Sequence, residues 1–240
     1  MSATPPPSRD PYAALKQRAA EHAVGFVQSG MVVGLGTGST AIFATRLIAA
    51  RLRNGQLREL VAIATSRATH DEAQRLGIPL LADEMAREVD LTIDGADEVD
   101  PALHLIKGGG GALLREKLVA EASNREIIVV DYTKLSPRLG TSHRLPVEVL
   151  PFAWQSQARF LRSLGASLAV RRTASGAEYR TDQGNLILDC DFGPIDDPPA
   201  LGALLDHRAG IMEHGLFIER ASMVVVARPE GIEELTVPRP

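Results

Sequence analysis

A lysine, four glycines and a carboxylate fall within one short stretch, Lys107-Gly108-Gly109-Gly110-Gly111-Ala112-Leu113-Leu114-Arg115-Glu116. Glycines leave main-chain N–H groups open to a small ligand, and a helix starting after them adds its positive end. The loop therefore favours an anion or an oxyanion. The apolar pair Leu113-Leu114, with Leu118 extending the spacing, would aim Glu116 back at the loop instead of at solvent. The ordinary alternative is a surface helix whose Arg115, Glu116 and Lys117 are all solvated.

Two further segments bear on that choice. In Val32-Val33-Gly34-Leu35-Gly36-Thr37-Gly38-Ser39-Thr40 an apolar strand runs into a glycine turn and then into the helical pattern Ile42, Phe43, Leu47, Ile48. Hydroxyls at Thr37, Ser39 and Thr40, beside free N–H groups at a helix start, suit a phosphate monoester. A dinucleotide fingerprint would need glycine where Ser39 stands, and a phosphate-loop NTPase would need a Gly-Lys-Ser/Thr ending, so a nucleotide is disfavoured. A plain glycine turn with a serine cap is the structural alternative. In Val89-Asp90-Leu91-Thr92-Ile93-Asp94-Gly95-Ala96-Asp97-Glu98-Val99-Asp100 a strand delivers acidic groups into a Gly-Ala turn. Open α/β sheets bind ligands at the carboxyl ends of their strands, so Asp94 and Asp97 would meet both glycine loops in one crevice. The acidic spacing fits no EF-hand and lacks histidine ligands; magnesium stays open on spacing alone. Glu98 and Asp100 read as solvated members of the turn.

The elements that must position these loops alternate. Asp10-Pro11 opens a helix expected to reach Gln28. Strands are predicted near 31–35, 60–65, 89–94 and 126–131, with helices near 39–52, 67–76 and 111–122, the pattern of a parallel sheet with crossover helices. Ser66 would cap the second of these helices, and the Thr65-Ser66 turn would face the same crevice. From Leu145 the style changes: strand 145–149, helix 153–164, strands 167–173 and 185–190, helix 198–206 and strand 211–219 make a β-α-β-β-α-β order. The turn Thr181 to Asn185 precedes the second inner strand. The apolar run Ser222 to Ala227 is expected to return to the first sheet. The predicted fold is thus α/β, a Rossmann-like parallel-sheet domain of residues 1–144 plus 220–240, with a smaller ferredoxin-like α+β domain of residues 145–219.

Composition narrows the function classes. The 240 residues, 45% hydrophobic with a formal charge of −4, suit one or two domains with a sizeable core. Clustered Lys and Arg, the footprint of a nucleic-acid binder, are missing. The lone Cys190 excludes an intrachain disulfide, fits a reducing compartment and reads as a packed thiol. No stretch is apolar enough to span a bilayer, and the start, Met1 to Asp10, lacks the apolar core of a signal peptide, so cytoplasm is the expectation. The proline-rich start and Pro238-Arg239-Pro240 read as frayed ends. His22, His70, His104, His143, His207 and His214 form no ligand cluster in sequence and read as surface or loop. Trp154 with Phe160 and Leu161 marks a packing helix rather than a base-stacking platform.

Taken in order, the segments Gly34 to Thr40, Asp94 to Asp100, Lys107 to Lys117, Asp131 to Lys134 and Leu145 to Val149 resemble ribose-5-phosphate isomerases of the A type, along nearly the whole chain from Leu15 to Gly231. The resemblance implies interconversion of D-ribose 5-phosphate and D-ribulose 5-phosphate without a cofactor or metal, and a homodimer or homotetramer. Carried over by position, Glu116 matches the catalytic base, and Lys107, Asp94 and Asp97 match other active-site polar groups. Thr37, Gly38, Ser39 and Thr40 match the first substrate loop, Lys134 a substrate-contacting lysine and Lys16 a phosphate contact. Gly95, Ala96, Gly108, Gly109 and Gly110 complete the expected substrate-binding set.

The chemistry wants those residue types. Moving a carbonyl to the next carbon means removing a carbon-bound proton and returning it to the neighbour through an enediolate, and one base can do both. Glu116 is the expected shuttle, in a partly dry pocket that raises its pKa. Lys107 and the N–H groups of Gly108 to Gly110 would hold the enediolate oxygen. Asp94 is the candidate for opening the furanose ring, and Asp97 for orienting hydroxyls or Lys107. The hydroxyl loop and Lys134 would anchor the phosphate away from the reacting carbons. Two other classes stand beside this reading: a sugar-phosphate sensor, and an aldolase-like enzyme with Lys107 as Schiff-base amine. A coenzyme A transferase, with a glutamate attacking a thioester, matches the motifs less well.

Overall fold

The computed structural model describes residues 10–82 and 88–236. The proline-rich start and the Pro238-Arg239-Pro240 end lie outside them. After helix α1 (Ala13–Val24) the chain alternates β1 (Val32–Leu35), α2 (Ala41–Arg53), β2 (Val61–Ala64), α3 (Arg67–Arg75) and β3 (Leu91–Asp94). Two short strands, β4 (Glu98–Val99) and β5 (Leu105–Ile106), precede α4 (Leu113–Glu121), β6 (Glu126–Asp131) and a 3-10 turn at Tyr132–Lys134. Next come β7 (Leu145–Val149), α5 (Trp154–Ser163), β8 (Ser167–Val170), β9 (Leu186–Asp191), α6 (Pro198–Asp206) and β10 (Ile211–His214). The chain closes with β11 (Leu216–Phe217), β12 (Met223–Ala227) and β13 (Ile232–Leu235).

The main sheet runs β13-β12-β6-β3-β1-β2, parallel throughout except for the antiparallel edge β13. Its inner strands are buried along their whole length, which both-sided helix cover requires, and this explains their unbroken apolar runs. Alanines and Val24 of α1, with Ala44, Ile48 and Ala49 of α2, fill one face. The other face packs Ile128, Val130, Val224 and Val226 against Ala120 of α4 and Phe217. The return of Met223–Ala227 to this sheet is as expected from its run of valines.

The second sheet, β10-β7-β9-β8, is antiparallel at every pair, the strand order of a ferredoxin-like unit with α5 and α6 as its helices. Trp154, Phe160 and Leu161 pack on its core, as does the buried Cys190, whose thiol burial pushes up to about 12.

Several details differ from the sequence reading. Helix α1 starts at Ala13 and ends at Val24, because Asp10 accepts from the Tyr12 N–H and pairs with Lys16 instead of capping, and Gly25 closes the last turn. The strand expected over 211–219 is two strands in different sheets: Gly215 donates to the Pro146 carbonyl and accepts from the Lys107 N–H, so the chain crosses over there. Thr181 to Gly184 forms the expected turn. Glu98, read as solvated, is 1% exposed and accepts from the N–H groups of Gly140, Thr141, Ser142 and His143. Asp100 accepts from Ala102 and His104 and ties its own turn. His214 is buried: Leu216 N–H donates to its Nδ1, Nε2 meets Asp206, and burial holds its pKa down at about 4.

Candidate active site

Strand β1 lies between β2 and β3, so the chain leaves it in one direction and comes back to its other side. The loops after β1 and β3 therefore part, and a crevice opens at their carboxyl ends. The Thr37 to Thr40 loop forms one wall, Gly95 to Asp97 the second, and Lys107 to Gly110 with Glu116 the third; Lys134 closes the cleft. All three motifs thus meet, as their types suggested.

Lys107 is the hub. It follows the short strand β5, and its 2% exposed side chain runs over the Phe217 ring, 5.3 Å from its centroid, to donate to the Gly95 carbonyl. Its Nζ lies 3.0 Å from Asp94 Oδ2 and 3.8 Å from Glu116 Oε2. Burial alone would discharge the amine, but attraction to Asp94, then to Glu116 and Glu126, outweighs it and holds Lys107 above the ordinary lysine range. Asp94 is fully buried, with Oδ1 accepting from the Thr37 and Gly95 N–H groups. It sits beneath the cleft floor, close enough to Gly36 that a Cβ there would fall 2.2 Å from Oδ1, so only glycine fits. Burial raises its pKa against the pull of Lys107.

Glu116 stands in the first turn of α4, 4% exposed, and its Oε2 has no hydrogen-bond partner among the described residues. Burial, opposed by Lys107 and helped by Asp94 and Asp97, pushes its pKa up to about 8. The helix face differs from the expected one: Leu118 is half exposed, while Glu116 and Lys117 are buried with Leu113, Val119 and Ala120. Lys117 points away from the cleft, to Glu213 and to the His214 carbonyl. That ammonium pairs with Glu213, a member of the one grouping of carboxylates and histidine among the described residues close enough to hold a metal, Asp206, Glu213 and His214.

At the opposite end of the cleft, Lys16 donates to Ser39 Oγ (2.9 Å) and to Asp10, which puts its ammonium on the hydroxyl loop. Thr37 turns its hydroxyl away, to Thr65, Ser66 and Thr69, so the Thr65-Ser66 turn backs the loop instead of lining the cleft. Ser66 caps α3 as expected, accepting from the Thr69 N–H. Asp97 Oδ2 accepts from the Gly109 N–H (2.7 Å) and joins two walls. Lys134 ends the 3-10 turn that Asp131 caps.

Three residues near the site carried no motif. Glu126, at the start of β6, buries both carboxylate oxygens without a hydrogen-bond partner among the described residues, and burial pushes it up to about 7; its one signal is an acid opening the apolar run Ile127 to Val130. Arg171 and Tyr179 reach the glycine run from the smaller sheet's side and act on main-chain carbonyls, which leaves no mark in sequence.

Comparison with known proteins agrees with this architecture. The family model for ribose 5-phosphate isomerase A (phosphoriboisomerase A) matches residues 61–231. The ribose-5-phosphate isomerase A of Desulfatibacillum aliphaticivorans is 54% identical over 92% of this chain and 96% of its own. A solved D-ribose-5-phosphate isomerase in complex with phospho-erythronic acid superposes with a TM-score of 0.91 at 35% identity, over 93% of this chain and 98% of the other. The Plasmodium falciparum enzyme gives 0.90 at 36%, over 95% and 100%. With a family model matching residues 61–231 and relatives of this identity matched over nearly their whole length, the chain belongs to the ribose 5-phosphate isomerase A family.

Proposed function

We propose that this chain interconverts D-ribose 5-phosphate and D-ribulose 5-phosphate, the aldose-ketose step of the non-oxidative pentose phosphate pathway. The observation that carries this reading is the buried Glu116 Oε2, 3.8 Å from the Lys107 ammonium and without a hydrogen-bond partner among the described residues, in a cleft that also holds Lys134 and the hydroxyl loop, which Lys16 meets at Ser39. With the phosphate anchored there, Glu116 takes the proton from C2. The electron pair forms the C1–C2 double bond and the C1 carbonyl oxygen gains the charge, facing Lys107. The O2 proton passes to O1, and Glu116 returns its proton to C1 as the C2 carbonyl forms. Phospho-erythronic acid, bound by a relative, carries a planar anionic carboxylate like the enediolate. Asp94, beneath the cleft floor, holds Lys107 and the N–H groups of Thr37 and Gly95, so its part in ring opening runs through that ammonium, while Asp97 orients hydroxyls.

A Schiff-base route needs a neutral amine, and the pairing of Lys107 with two carboxylates keeps it charged. A coupled assay of chelator-treated protein on ribose 5-phosphate should show turnover, unaffected by borohydride. No turnover, or covalent inactivation at Lys107, would replace this reading.

Glu116 works as a base only when ionised. With its pKa raised to about 8, kcat/KM should climb about tenfold per pH unit below that value and level off above it. A profile flat over the two units below about 8 would remove Glu116 from the role.

We further read residues up to 144 together with those from 220 onward as the catalytic unit, and 145–219 as the surface on which subunits pair into a homodimer or homotetramer. Phe152, Leu204 and Met212 stand exposed there, Phe152 by 84%. The proposed setting is the cytoplasm; among the described residues no helix is long and apolar enough to cross a membrane.

A further inference from the structure

The connection between β8 and β9, residues 171–185, leaves the smaller sheet and reaches the catalytic loops. Arg171 Nη1 donates to the carbonyls of Gly108 (2.8 Å) and Gly109 (3.1 Å). Its Nε and Nη2 are held by Asp189 on β9, with Nε 3.0 Å from Oδ2. Tyr179 Oη donates to the Gly110 carbonyl (3.2 Å) and lies so near the run that a Cβ at Gly111 would fall 2.3 Å from it. Further along, Asp182 accepts from the Arg67 N–H at the start of α3, the helix whose Ser66 and Thr69 hold Thr37. One connection thus holds the glycine run directly and reaches the helix that backs the Thr37 loop.

Three successive carbonyls of the glycine run are held by side chains from outside it. In a trans peptide the carbonyl and the following N–H point opposite ways, so a held carbonyl fixes where the next donor points. Of the donors set in this way, Gly109 N–H goes to Asp97 and Gly111 N–H closes onto the Gly108 carbonyl. Gly110 N–H keeps no protein partner among the described residues, and Gly110 lines the cleft. Glycine backbone left unheld samples many conformations, and a donor aimed only part of the time stabilises an oxyanion poorly.

We propose that Arg171, assisted by Tyr179, is a positioning residue for the isomerisation: by fixing the Gly108 to Gly110 carbonyls it aims the Gly110 N–H at the enediolate oxygen. The proposal rests on the isomerase reading above. Its test pairs kinetics with binding of two acyclic analogues, anionic 4-phospho-erythronate and uncharged-headed ribitol 5-phosphate. In Arg171→Met, kcat on ribose 5-phosphate should fall about 10- to 100-fold with KM nearly unchanged. Phospho-erythronate should bind at least about tenfold more weakly while ribitol 5-phosphate binds as before, a split that general loosening of the fold would not give. Arg171→Lys, which keeps the charge but cannot span two carbonyls and Asp189, should show the same split in smaller measure and serves if the methionine variant does not fold. Equal weakening of both analogues, or kcat within about twofold of the parent, would overturn the proposal. A parent protein that turns over no ribose 5-phosphate would overturn the isomerase reading instead, and the analogue split would still decide whether Arg171 sets the anion-binding loop.

Discussion

Glu116→Gln is expected to lower kcat by about 10²–10⁴, the usual contribution of a positioned general base, with KM little changed because the amide keeps the shape of the cleft. Exchange of solvent deuterium into the substrate should disappear together with turnover. The same substitution should raise stability. Glu116 has its pKa lifted from 4.5 to about 8 in the folded chain, so the fold prefers the protonated acid. The stability this contributes is complete below the unfolded value and is lost as pH rises through the folded one. Glutamine never ionises, so the variant's advantage should grow between about pH 5 and pH 9. At the alkaline end it should melt at least about 3 °C higher, the shift made by about 1 kcal/mol in a chain of this size. Turnover retained within a few-fold would reject Glu116 as the shuttle, and melting that falls at high pH would contradict the buried-acid account.

Lys107→Met should cost both activity and stability. Removing the electrophile is expected to lower kcat by about 10²–10³. It also strands Asp94, which keeps two N–H donors but loses its counter-charge; breaking a buried pair from one side typically costs about 3–5 kcal/mol. Denaturant unfolding would measure that loss. Adding Asp94→Asn to the methionine variant should restore part of the stability, since the carboxylate nearest the lost ammonium is then uncharged, yet none of the turnover. If Lys107→Met alone kept activity within about tenfold, the oxyanion would have to be held by the glycine N–H groups without the ammonium.

The meeting of the cleft-lining loops could be read from sequence because each follows a strand end or opens a helix. Gly36 to Thr40 after β1, Asp94 to Asp97 after β3 and Glu116 in the first turn of α4 come together by the logic of a parallel sheet. What escaped the reading had no period to show. Strands of two residues, β4, β5 and β11, are too short to alternate, yet β5 and β11 flank Lys107. Glu116 turns back to the loop as its spacing suggested, but Leu118 looked like core and is half exposed, whereas Lys117 is buried because its partner Glu213 lies far off in sequence. Glu98 looked solvated for the same reason, since the four N–H groups that it satisfies arrive more than forty positions later. The edge strand β13, Ile-Glu-Glu-Leu, was assigned to no element, and its charges suit a sheet border.

Strand β12 fills the place beside β6 but is made only after the entire ferredoxin-like unit. While the chain is being synthesised, β6 therefore waits with an unpaired border until residues near 227 have left the ribosome, a row of open donors and acceptors able to recruit a stray strand. The smaller unit can assemble in that interval, and its completion delivers the last parallel strand to the right edge. Birth order thus makes the second unit a timekeeper for the first, and the nascent chain most prone to clumping is the one paused just short of those final valines.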